Sequence, residues 1–177
     1  MTATTSSTAR QYSAIEQRNI AQLKEYVRVV HNAHDIQAFP RFFSPDFQNP
    51  DMKVVIGEDA VNDKTKNHVQ SSQEMHEMLS QAFPDLHTTL LDITADGNKV
   101  CALMRFEGTH TGELKKPMNG GDSSIPPTNQ KISFNKMGIM TFEEDSGLIV
   151  GHSAVTDFPA TMEQLKAAAA VKVIDEN

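Results

Sequence analysis

From Leu86 onward, apolar and polar residues alternate with the two-residue period of a strand. Leu86, Thr88, Leu90 and Asp92 fall on one face and His87, Thr89, Leu91 and Ile93 on the other. A second stretch, Val100 to Glu107, follows the dipeptide Asp96-Gly97. A tight hairpin turn needs positive φ, which glycine supplies without strain, so the two stretches are predicted to pair as a β-ribbon. The whole run, AFPDLHTTLLDITADGNKVCALMRFEGTHTG over Ala82–Gly112, reads as a helix end, two long strands and a His-bearing turn. Such a ribbon needs a helical layer over one face, and the other face can curl around a pocket.

The remaining pattern supplies that layer. Ile20, Leu23, Tyr26, Val27 and Val30 recur at three- and four-residue spacing, with Arg18, Lys24, Glu25 and Arg28 outside the stripe. Asn32 to Asp35 is predicted to end this first helix. A short second helix over Ile36–Phe43 stops at Ser44-Pro45, and DFQNP (Asp46–Pro50) is a short extended piece. Val54 to Ile56 is a candidate strand. A third helix lies within Glu58–Phe83, with Val69, Met75, Met78, Leu79 and Ala82 or Phe83 inward. Residues 114–131, rich in Pro, Gly and small polar side chains, read as a flexible loop, either lid or insertion. Ile132–Phe142 and Leu148–Thr156 are further strands joined by the Glu143–Gly147 turn. A last helix, Phe158 to about Val171, is capped by the Asp157 carboxylate and tolerates Pro159 in its first turn. The expected fold is α+β: a curved antiparallel sheet with N-terminal helices, cone-shaped around a pocket. One domain over residues 13–171 is expected, with tails at 1–12 and 172–177.

Composition narrows the function classes. At 177 residues the chain is long enough for a core plus an internal cavity. A net charge of −7 argues against nucleic acid and against an anionic membrane as partners. No apolar run reaches membrane-spanning length, and Met1–Arg10 has no hydrophobic signal core. The one cysteine, Cys101, reads as a small buried hydrophobe rather than a nucleophile. A cytoplasmic protein is the expectation.

The phrases VHNAHDIQAF, PDFQNP, AFPDLH, ADGNKV, GTHTGEL, PPTNQ and GLIVGHSAVTDF occur in an order and spacing that resembles the SnoaL-like polyketide cyclases, across about Ile20 to Leu165. That family shares a cone-shaped α+β fold with nuclear transport factor two. The resemblance implies a general acid/base aspartate near the end of the last strand, and GLIVGHSAVTDF places Ala154 there. The family's Gln and His on the preceding strand fall at about Lys136 and Gly138, and its pocket Asn at Asn49. A relative in the same superfamily, limonene epoxide hydrolase, uses a Tyr-x-Asn and an Asp-Arg-Asp relay. Here the Tyr position is Phe47, and the final Asp is again Ala154. The usual aldol-cyclase and epoxide-hydrolase mechanisms are therefore not expected in their standard forms.

Each candidate for the chemistry has a bland alternative. Arg105 and Glu107, two apart on one strand, share a face: a carbonyl-polarising pair with Glu107 as base, or an exposed salt bridge. His152 shares the face of Ala154, where a neutral imidazole both accepts and donates a proton. Asn49 suits a substrate carbonyl or water, and equally a turn before Pro50. Lys136, if inward, would stabilise an enolate; otherwise it faces solvent. His110 is either a substrate contact or a tie for its turn. Asp157 matches a family Asp, yet helix capping accounts for it. His31, His34, His68, His76 and His87 show no metal-ligand spacing, and no metal is expected; His31 and His34 read as surface or capping residues. Met75, Met78, Met104, Met118, Met137 and Met140 are expected in the core or lining the pocket.

These readings lead to a cofactor-independent isomerase or cyclase acting on a hydrophobic polyketide- or terpenoid-type intermediate. Glu107, His152 and Arg105 are the expected catalytic residues, and Asn49, Lys136, His110, Phe47 and Met140 the expected substrate contacts. A non-catalytic binding protein and an epoxide hydrolase using Glu107 are the alternatives. No cofactor is expected, and the family habit implies a homodimer.

Overall fold

A computed structural model describes residues 10–50, 67–115 and 124–175. Helix α1 spans Ala14–Tyr26, a π-helical turn Val27–Asn32 and a 3₁₀ turn Ile36–Arg41. Strand β1 (Phe43–Gln48) and helix α2 (His68–Ala82) follow. Then come β2 (His87–Asp96), β3 (Lys99–Thr109), β4 (Lys131–Phe142), β5 (Ile149–Thr156) and α3 (Phe158–Asp175). The predicted Val54–Ile56 strand lies outside the described residues.

The five strands form one curved, unclosed sheet in the order β1-β5-β4-β3-β2. Three pairs are antiparallel, but β1 runs parallel to β5, so the sheet is mixed rather than purely antiparallel. The reason is connectivity: β1 precedes α2 and the meander, and docks on the free edge of the last strand. The hairpin forms at Gly97, whose φ is +57°, where a left-handed backbone costs glycine nothing. In β2 the simple alternation fails. Leu90 pairs with Met104 but Asp92 with Leu103, so Leu91 is the extra residue of a bulge. Beyond it the phase inverts, which brings Ile93 onto the face of Leu90 and leaves Leu91 and Asp92 exposed.

Helices cover the concave face. α1 starts with a capping box in which Ser13 accepts from the Glu16 N–H and Glu16 accepts from Ser13, satisfying two donors that no helical carbonyl reaches. The Glu16 carboxylate also accepts from the Gly97 N–H and the Arg10 guanidinium, tying helix start to hairpin. Arg10 thus contacts the domain through Glu16, and Tyr12 lies against its core. At the other end α3 continues as helix through Asp175, past the predicted boundary at 171. Its start is held differently from the prediction. The Thr156 hydroxyl accepts from the Phe158 N–H, while the Asp157 carboxylate accepts from the Asn135 backbone N–H at 2.6 Å and so pins α3 to β4.

The GTHTG phrase is a docking joint for α2. Both Thr111 and Gly112 donate their N–H to the Ala82 carbonyl at the helix end, and a Cβ at Gly112 would lie 1.9 Å from the Gln81 carbonyl oxygen. Asp85 accepts from the Thr109 N–H and hydroxyl. The ends of the predicted loop are anchored as well: Leu114 pairs with Ile125, both buried, while residues 116–123 lie outside the described ones. No helix among the described residues is long and apolar enough to cross a membrane.

Candidate functional site

Period-two alternation gives the sheet two distinct faces. On the concave side lie Val100, Ala102, Met104 and Phe106 of β3, and Ile132, Phe134, Lys136, Gly138 and Met140 of β4. From β5 come His152, Ala154 and Thr156, which sit opposite Met140, Gly138 and Lys136 respectively. Lys136 therefore points inward. His152 shares its side of the sheet with both Lys136 and Ala154. Gly138 makes room for the imidazole: a Cβ there would lie 3.2 Å from His152 Nε2. That nitrogen is buried and has no hydrogen-bond partner among the described residues, which is costly unless something supplies one.

Helices bring further polar groups to the same hollow. Val29, Val30 and His31 sit in the π turn, where the Ala33 N–H reaches back five residues to the Arg28 carbonyl. This wider turn re-phases the chain before His34, at φ +55°, ends it. His31 Nδ1 lies 3.1 Å from the Thr88 hydroxyl of β2, and its Nε2 lies 3.2 Å from Nε2 of His76 on α2. His76 Nδ1 faces the Ser72 carbonyl at 2.8 Å, and the Tyr26 hydroxyl meets His76 Nε2 at 3.0 Å. Tyr26 is braced by edge-on contacts with Phe39, Phe42, Phe43 and His31, at 4.8 to 5.9 Å between centroids.

The electrostatics are uniform in direction. Burial lowers the pKa of His31 and His152 well below the ordinary imidazole value, and the Lys136 charge and the neighbouring histidines push the same way. His76 falls to about 4, again mainly through burial, partly opposed by its bond to the Ser72 carbonyl. Burial likewise raises the Tyr26 phenol. All three imidazoles are thus neutral at pH 7. His31, His76, His152 and Lys136 are each half-buried rather than sealed, as are Leu90, Ile93, Met75 and Leu79.

The expected residues divide accordingly. Lys136 and His152 share the concave face, with buried Met140 directly opposite His152. Arg105 and Glu107 do not join them. They lie on the convex face and are exposed, because β3 alternates and Met104 and Phe106 take the concave positions. Phe47 is 2% exposed with its ring against Phe43, so it is core rather than a surface open to substrate. Asn49 is buried at the β1 edge; its N–H donates to His68 Nδ1, and its side-chain oxygen has no partner. His110 is fully buried beyond the end of β3, against Phe83 and Thr128, where it ties its turn. Cys101 and Met137 belong to the convex face, not the core; Met137 is 48% exposed. Met118 lies outside the described residues.

Tyr26, His31, His76 and Thr88 were not expected here. His76 did carry a signal: Val69, Ser72, His76 and Leu79 follow a three-four-three spacing that sets them on one helix face. For His31 the π turn decides, and no sequence pattern announces it. Among the described residues, no group of three or more His, Cys, Asp or Glu side chains is arranged to hold a metal ion.

With this geometry in hand, the comparisons are specific about family and fold. The SnoaL-like polyketide cyclase family model matches residues 20–165, and the chain belongs to that family. No curated protein matches it. A Jannaschia sp. CCS1 protein described as a SnoaL-like polyketide cyclase is similar in structure, with TM-score 0.65 and 19% identity over 87% of this chain and 95% of that one. TsrD from Streptomyces laurentii has TM-score 0.64 at 20% identity, over 88% and 98%. AclR from Streptomyces galilaeus, described as a hydroxylase, has TM-score 0.64 at 21% identity, over 85% and 86%. At these identities the likeness is one of fold.

Proposed function

We propose that the protein is a cofactor-independent isomerase or cyclase acting on a hydrophobic polyketide- or terpenoid-type intermediate by proton transfer in the concave cavity. The observation that carries this reading is that Lys136 and His152, on adjacent strands, share the concave face among apolar neighbours. An ammonium in a low-dielectric site stabilises negative charge developing on a carbonyl oxygen as an enolate forms. The unpartnered His152 Nε2 supplies a hydrogen-bonding group of the right reach for that oxygen. Ala154 and Gly138 contribute space rather than chemistry, so ring positioning by apolar walls carries part of the rate. The test is deuterium exchange at the α-carbon of aromatic β-keto esters in D2O, followed by mass spectrometry. Exchange lowered at least about 100-fold in His152→Ala and Lys136→Met supports the reading. Exchange unchanged in both folded variants contradicts it.

One observation favours a second reading, that of a binding protein. Ala154, where the resemblance expects an acid/base aspartate, cannot move a proton. Tight binding of the same esters with no exchange would decide for it. Epoxide opening by Glu107 is dropped, because that carboxylate is on the far face of the sheet.

The convex face supports a partner of its own. Met137, Ile139 and Val155 are 46–73% exposed; Leu103 and Val155 both pair with Met137, and Arg105 and Glu107 lie along the same face. An apolar patch rimmed by opposite charges on one strand suits a two-fold homodimer. A cytoplasmic location belongs to the same reading.

A further inference from the structure

Hydrogen-bonding capacity is spread unevenly over the concave side. At the wall built by α1, α2 and β2 it is used up within the protein. His76 Nε2 meets both the Tyr26 hydroxyl at 3.0 Å and His31 Nε2 at 3.2 Å, while His76 Nδ1 is held by the Ser72 carbonyl at 2.8 Å. His31 Nδ1 is held by the Thr88 hydroxyl at 3.1 Å. Thr88 is closed off in turn, because the Asn32 side chain accepts from its N–H and donates to its carbonyl, at 2.8 and 3.0 Å. Every ring nitrogen of this wall is engaged by a protein group, whichever tautomers the two imidazoles hold.

The β4–β5 side is the opposite case. His152 Nε2 has no partner among the described residues, and Lys136 shares its face of the sheet. An apolar floor joins the two sides. The His31 ring lies 5.5 Å from Phe106, Phe106 stacks on its strand partner Phe134 at 4.9 Å, and Lys136 stands two residues beyond Phe134 on the same face of β4. The Lys136 charge acts on His31, His76 and His152 alike. Around the wall itself the neighbours are hydrocarbon: Leu90 follows Thr88 by two residues on β2, and Met75 and Leu79 flank His76 on α2.

We propose that the concave site fixes which way round its ligand lies: oxygen substituents are taken at the Lys136–His152 side, and the end that meets His31, His76 and Thr88 is bare hydrocarbon. This rests on the small-molecule site of the reading above and narrows its substrate class to apolar ring systems oxygenated at one end only. A hydroxyl or carbonyl brought to the helical wall gives up its water and finds each polar group already paired, so it binds there only by breaking an existing bond. At the other side the same oxygen meets a nitrogen that lacks a partner. The wall is polar in composition but behaves as hydrocarbon toward a ligand, presenting the faces of Tyr26-braced imidazoles beside Leu90, Met75 and Leu79. Tyr26, His31, His76 and Thr88 thus act as specificity-determining residues through bonds they make to one another.

Two isomers of one composition test this. In 2,3-dihydroxynaphthalene both oxygens sit at one end, and in 2,6-dihydroxynaphthalene there is one at each. Isothermal titration calorimetry of the wild type is expected to give the 2,3-isomer a Kd at least about 10-fold lower. Tyr26→Phe takes the phenol donor away from His76 Nε2, which is then available to a ligand hydroxyl. In that variant the 2,6-isomer is expected to bind at least about fivefold tighter than in the wild type, with the 2,3-isomer within about twofold. Thr88→Val, which frees His31 Nδ1 in the same way, takes its place if Tyr26→Phe does not fold. Wild-type affinities within about twofold of each other, tighter binding of the 2,6-isomer, or no binding of either overturn the proposal, as does an unchanged ratio in the folded variant. The proton-transfer reading fails separately. Selectivity for the 2,3-isomer in a wild type that exchanges no deuterium keeps the orientation and removes the isomerase or cyclase, whereas exchange without selectivity does the reverse.

Discussion

Lys136 and Met137 are neighbours on β4, and each lies where the simplest rule would put the other. The lysine points to the concave side of the sheet among Met104, Phe134 and Met140, whereas the methionine stands in the open on the convex side with Ile139 and Val155. An exposed apolar cluster gains nothing in a monomer. In the proposed function the inversion separates a surface for a small molecule inside from a face for a protein outside. Arg105 and Glu107, which the strand period groups with each other, belong to the second surface.

Substitutions that treat the two faces alike would break this contrast, and the largest expected effect is on activity. His152→Ala should remove at least about 100-fold of the exchange rate, while Arg105→Ala and Glu107→Gln stay within about twofold of the wild type where the protein remains folded. Equal losses on both faces would merge the two surfaces. Next comes stability along a single strand. Phe106, stacked on Phe134 at 4.9 Å and touching His31, should cost about 3–5 kcal/mol when cut to Ala. Its neighbour Arg105, exposed, should cost within about 0.5 kcal/mol. Urea denaturation of the two variants measures the difference directly.

A third expectation concerns pH. His31, His76 and His152 have imidazoles held below their ordinary value in the folded state, so below pH 6.5 the unfolded state binds more protons, for His76 down to about pH 4. Stability should hold above pH 6.5 and fall as the pH drops through that window, by about 1.4 kcal/mol for each unit of depression. Replacing His76 with Gln should flatten the slope. A flat profile in the wild type would mean that these rings are solvated. Smaller still, Gly138→Ala should cost about 1 kcal/mol while displacing the His152 ring, so activity falls more than stability does. Finally, Met137→Lys should leave the stability of the monomer unchanged and shift the proposed dimer toward monomer in analytical ultracentrifugation.

How much of this was legible in the residues differs by region. The hairpin, β4 and the phase of β5 follow from alternation and a glycine, and the family phrases extend across most of the domain. The phase of β2 was right only up to Leu90, because a bulge is a matter of partner register and leaves no mark in one strand's own pattern. The parallel docking of β1 is invisible for the same reason. The concave-face position of His152 follows from its phase with Ala154, whereas for Lys136 the sequence leaves pocket and solvent both open. The assignment of Arg105 and Glu107 to a pocket relied on analogy against a strand whose apolar residues already pointed the other way. His31 and His76 were missed because histidine spacing along the chain says nothing about two rings meeting across elements.

The most direct test of the two-surface account is amide chemical-shift mapping with an anthraquinone carboxylate, a planar polycyclic ketone. The account predicts that Lys136, Gly138, His152 and Ala154 shift together while Arg105, Glu107 and Met137 remain still. Shifts confined to the convex residues, with the concave strand positions unmoved, would contradict it.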